Sequence, residues 1–252
     1  MKRFSRLEFG ENRKQSGDKR PSGEQIRDEF YFHKKGLQCW LAGDFELALR
    51  NYSRSLEKNS SFFEGWIGQI LMLIELGEYH EARIWSDKAL EMFPEHPELF
   101  ALKAVACVRD GRMEKALAYS DNAISKECVT PRVWLARAEV MMRRKSPIAD
   151  NCISKAVGLA GNEGPVIRLE AGRLLAKQGH YSSAVQYLQD VVTAIPDSAM
   201  AWYMLGYCQA KLGRLEAQAT LKQSLHLRPD WQAPKRALRE CRKGFFRRIF
   251  RS

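Results

Sequence analysis

Apolar side chains recur at three- and four-residue spacing in blocks of about fourteen residues, and five of the blocks are cut off at a glycine. The block WIGQILMLIEL at 66–76 ending at Gly77 is the plainest case. Such spacing predicts an amphipathic helix, and glycine just past its end supplies the left-handed conformation that closes it. The glycine-centred segments LAGDFELAL (41–49), ELGEYHEAR (75–83), RDGRMEKAL (109–117), KQGHYSSAV (177–185) and KLGRLEAQA (211–219) share one pattern. Their glycines, Gly43, Gly77, Gly111, Gly179 and Gly213, are separated by 34, 34, 68 and 34 residues, so the register passes through a copy in which Lys145 replaces glycine. Six units are predicted, starting at 29, 63, 97, 131, 165 and 199. In each, a second helix follows the glycine at once, and Ala48, Ala82, Ala116 and Ala184 recur where a small side chain lets two helices approach closely. Pro94, Pro196 and Pro229 then end the unit, because proline cannot continue a helix. A helical hairpin of this size buries its apolar faces only by stacking on its neighbours, which predicts an all-α solenoid.

The pattern resembles the tetratricopeptide repeat, a 34-residue hairpin with a W-x2-L-G-x2-Y opening, an A-x3-F middle and a closing proline. Trp202, Leu205 and Gly206 match the opening in the sixth unit, and Ala48 with Tyr52 matches the middle of the first. The resemblance covers residues 29–230 and implies a right-handed α-solenoid of six repeats that binds proteins rather than catalyses reactions. Residues 1–28 are read as a basic N-terminal segment, and 231–252 as a capping helix followed by a basic aromatic tail. Ala233, Ala237, Leu238 and Cys241 fall on one face of that helix, with Trp231 beneath it. The fourth unit lacks one residue before Ala149 and regains it in the loop 160–164, and the sixth lacks one near Ala217, so packing there is expected to be irregular.

In proteins with this repeat the first helix of each hairpin lines a concave groove. Carried over to this chain, the groove positions are Phe30, His33, Leu37 and Trp40, then Ile67, Leu71 and Ile74, then Ala101, Val105 and Val108. The later units contribute Arg132, Leu135, Glu139 and Arg143, then Leu169, Arg173 and Lys177, then Tyr203, Tyr207 and Lys211. The first half is apolar and the second cationic and aromatic, which fits a partner segment with an apolar stretch followed by acidic groups. Two alternatives stand beside an open groove: Phe4, Leu7 and Phe9 fold back into it, or superhelical packing buries these side chains. Some family members hold a terminal carboxylate with asparagines and lysines in adjacent units; the corresponding places start with His33, Leu37 and either Ile67 or Gly68, and the asparagines are absent, so that clamp is not expected.

Charge changes the picture at the ends. Of the net +11, residues 1–28 carry +3 and residues 235–252 carry +7, leaving a nearly neutral middle. Residues 10–25 contain no large apolar side chain and read as a disordered tether. In the tail, Phe245, Phe246, Ile249 and Phe250 share a helical face opposite Arg247, Arg248 and Arg251. Such a segment suits an anionic membrane surface, a protein groove, or less readily nucleic acid, and could equally serve only for solubility. No apolar run follows the basic start and none approaches the length of a membrane span, so a cytoplasmic protein, peripheral to a membrane at most, is expected. The six cysteines show no paired spacing, the five histidines are scattered, and no nucleophile elbow, phosphate loop or HExxH motif occurs. Neither catalysis, metal nor cofactor is expected.

Overall fold

The computed structural model describes residues 27–249, with side chains as far as Cys241, and its regular structure is all helix. The helices run in pairs: α1 (Glu29–Leu41) with α2 (Phe45–Lys58), α3 (Phe63–Glu75) with α4 (Tyr79–Met92), and α5 (Pro97–Arg109) with α6 (Met113–Ile124). Then come α7 (Pro131–Arg143) with α8 (Ala149–Leu159), α9 (Gly164–Lys177) with α10 (Tyr181–Ala194), and α11 (Ala199–Lys211) with α12 (Ala217–Leu227). A last helix, α13 (Gln232–Ile249), packs on α11 and α12.

One hydrogen bond builds all six hairpins. The amide of the residue after the turn glycine donates to a carbonyl five residues back: Asp44 to Cys39, Glu78 to Leu73, Arg112 to Cys107, Ser146 to Met141, His180 to Leu175 and Arg214 to Gln209, each at 2.8–2.9 Å. This bond satisfies a helix-end carbonyl but demands a positive φ. Glycine supplies it at five turns, and Lys145 adopts φ 56° at the sixth. Within the pairs, Ala48, Ala82, Ala116 and Ala184 have no exposure. Ala149 and Ala217 fill the same place in the two units that lack a residue, and there α8 and α12 start two residues further from the turn than the other second helices, leaving Ile148 and Leu215 exposed.

The solenoid curls until it meets itself. The first helices of the pairs face inward, and Arg173 of α9 lies over the rings of both Trp40 and Phe45 in the first unit, 5.7 and 5.4 Å from their centroids. The sixth unit then begins end-on to α1. Ser198, whose hydroxyl accepts from the Ala201 amide and so caps α11, also donates to the Leu41 carbonyl at 3.0 Å. Arg228 donates to the Ala42 carbonyl at 3.1 Å and pairs with Asp44. The positive end of α11 therefore faces the negative end of α1, each meeting groups that its own helix leaves unbonded. Trp231 closes this seam over Gly43, where a Cβ would fall 2.6 Å from the indole.

Candidate functional site

The inward curl decides where the groove positions fall. Trp40, Ile67, Ile74, Ala101, Val105, Val108, Leu135, Glu139 and Leu169 are buried, because a superhelix this narrow brings opposite walls into contact. His33, Leu37, Leu71, Arg132, Arg173, Tyr203 and Tyr207 are half-buried, whereas Phe30, Arg143, Lys177 and Lys211 are exposed. His33 sits between the rings of Tyr52 and Phe62, and burial lowers its pKa. Phe245, Phe246, Arg247, Arg248 and Ile249 lie on the backbone of α13, while Phe250, Arg251, Phe4, Leu7 and Phe9 are outside the described residues.

What remains of the concave side is a cavity of about 140 Å3 between the inner helices. Its walls are largely aliphatic, with Leu37, Leu71, Leu102, Val105 and Leu174 among them, but charged side chains enter at two places. Nearer one end, Arg132 pairs with Glu170 at 3.2 Å and with Glu163 at 3.5 Å. Burial pushes the Glu170 carboxyl above its ordinary pKa despite Arg132. At the other, Arg109 grips Glu139 through Nε and Nη2, at 2.8 and 3.0 Å, and gives Nη1 to Glu75 at 3.1 Å. Arg173 donates to the second oxygen of Glu75. Burial alone would raise the Glu75 carboxyl, yet Arg173 and Arg109 together hold it down at about 2. Lys177 borders the same end, exposed at the rim, and forms no ion pair among the described residues.

Glu75, Arg109 and Glu170 were absent from the sequence-based list. The signal was present for two of them: the register that selects Ile74 and Val108 selects Glu75 and Arg109 one residue on. That register position runs Leu41, Glu75, Arg109, Arg143, Lys177, Lys211 along one rim. The first cation in this ladder is consumed by Glu75 and Glu139, but Arg143, Lys177 and Lys211 stand exposed on consecutive units. Arg144, Lys145 and Arg214 in the adjoining turns are exposed as well. Next to Lys211, a cleft of about 270 Å3 under α13 is lined by Tyr207, Leu215, Ala237 and Cys241.

Buried thiols complete the inventory: Cys107, Cys152 and Cys208 lie in the core, and burial raises the Cys208 thiol to about 12, far from a reactive value. Among the described residues, no group of three or more His, Cys, Asp or Glu side chains could hold a metal ion. Nor is any helix there long and apolar enough to cross a membrane.

A profile of the tetratricopeptide repeat matches residues 40–97 and 169–234. The chain belongs to the tetratricopeptide-repeat family. Over 60 residues it is 37% identical to the uncharacterized protein MJ0572 of Methanocaldococcus jannaschii, a match covering 24% of this chain and 70% of that protein. Among solved structures it resembles yeast Tom70, at 17% identity and a TM-score of 0.55, over 84% of this chain and 47% of that one. It also resembles the Cut9–Hcn1 hetero-tetramer of the APC/C, at 16% identity and a TM-score of 0.54, over 85% of this chain and 43% of that one. The chain thus spans under half the length of these two structural relatives, and at such identities the likeness is one of fold. Tetratricopeptide-repeat solenoids are, in general, scaffolds for protein–protein interaction.

Proposed function

We propose that this tetratricopeptide-repeat protein is a non-catalytic adaptor that holds an acidic segment of a protein partner on the basic rim of units four to six. The observation that carries this reading is the ladder of Arg143, Lys177 and Lys211, exposed at a 34-residue period and without ion pairs among the described residues. Exposed like charges on a rigid repeat recognise an extended acidic chain, and the cleft beside Lys211, with Tyr207 and Leu215, would take an apolar side chain from it. The test is peptide display on the full chain. Selected sequences are expected to combine Asp or Glu with an aliphatic residue, and Arg143→Glu with Lys211→Glu is expected to weaken them more than tenfold, with affinity falling as salt rises. Selected peptides without acidic bias, or bound equally by the double variant, would refute the reading.

A second reading is supported by α13, which continues as helix to Ile249 and so supplies the conformation that a basic aromatic tail needs to lie on an anionic surface. In that reading the solenoid is an assembly factor peripheral to a membrane, with nucleic acid as a less favoured surface.

A further inference from the structure

The cavity inside the superhelix differs from the basic rim in being recessed between helices and amphiphilic. Its inventory of charge at the Glu75 end does not balance. Two carboxylates, Glu75 and Glu139, face three cations, Arg109, Arg173 and Lys177. Arg109 turns all three of its nitrogens to the two carboxylates. Arg173 gives a single N–H to Glu75 and turns its guanidinium face to Trp40 and Phe45. A guanidinium has five N–H donors, so Arg173 keeps several unused, and Lys177 keeps all three of its own. Partial burial and the neighbouring Arg109 also lower the Lys177 pKa, as expected for a cation short of a counter-charge. Between this end and the Arg132–Glu170 pair the lining is aliphatic, with Leu71, Leu102 and Leu174.

We infer that this cavity is a binding site for a small aliphatic monocarboxylate. Its carboxylate lies between the Lys177 ammonium and the unused N–H groups of Arg173, and its chain lies along Leu71, Leu102 and Leu174. A volume of about 140 Å3 gives a chain of several carbons room, roughly the space of four or five waters. One anion restores neutrality at the Glu75 end, where two carboxylates face three cations, and the aliphatic lining beside it favours a hydrocarbon chain. The exposed Lys177 marks the mouth, so the ligand enters chain first and keeps its charged end nearest solvent.

Titration calorimetry on the full chain tests this with hexanoate, hexan-1-ol, hexylammonium and acetate as probes, with the fluorescence of the protein as a second readout because Trp40 lines the cavity. Hexanoate is expected to saturate one site, and each other probe to bind at least tenfold more weakly. Lys177→Met should lower hexanoate affinity about tenfold or more, Lys177→Arg should largely restore it, and Lys211→Met on the rim should leave it unchanged. Lys177 is exposed, so its variants keep the wild-type thermal midpoint without ligand. Equal binding of hexylammonium, equal losses in the Lys177 and Lys211 variants, or no saturable binding of hexanoate would each overturn the proposal. Unchanged peptide binding in the rim variants with hexanoate binding intact would remove the partner reading and leave this one standing.

Discussion

At Glu75 one carboxylate accepts from two guanidiniums whose residues lie 34 and 98 positions further along the chain. Burial works against its charge, and Arg173 and Arg109 overcome that cost, taking the folded pKa from 4.5 to about 2. The sign follows: a depressed carboxyl stabilises the fold fully above its unfolded value and loses that contribution as the pH falls from about 4.5 towards 2. Urea midpoints of the wild type should therefore drop through that window, and those of Glu75→Gln should drop less. At neutral pH the same variant is expected to cost about 2 kcal/mol, because Arg109 retains Glu139 while Arg173 is left without its carboxylate. Equal acid sensitivity of the two proteins would show that other carboxylates govern the transition. In the sequence, the repeat register already pointed to Glu75. Its partner in α9 was not legible, because no periodicity relates residues on opposite walls of a curl.

The helices themselves were legible in detail, since each turn is dictated locally. A glycine at positive φ permits the five-residue-back hydrogen bond, and a small residue shortly after it permits the close approach of the paired helix. Even the missing residues before Ala149 and near Ala217 correspond to physical events, the late starts of α8 and α12. What the groove positions face was not legible. Ile67 and Val105 are buried rather than open to solvent because small rotations between units add up, and no single unit records their sum. At this scale α13 carries its own expectation. On vesicles containing phosphatidylserine, the full chain should float and a chain ending at Lys243 should not, each basic residue near the surface contributing on the order of 1 kcal/mol. Equal flotation of the two chains would dismiss the tail as a membrane element.

For the molecule as a whole, the seam between the first and sixth units joins helices that lie furthest apart in sequence. Trp231 packs over Gly43 and against Tyr203, with Arg228 above its ring. Trp231→Ala should cost about 2–3 kcal/mol and, more tellingly, should speed amide exchange in residues 41–47, more than 180 positions away in sequence. Exchange raised only around residue 231 would mean that the seam holds nothing. A linear stack of repeats melts like a ladder of dominoes, each unit answering to its neighbours and the outermost failing first. Here the last unit clasps the first, as in a bracelet, and the array has lost its weak ends: damage anywhere in the ring is shared around it, and the solenoid melts in a single step.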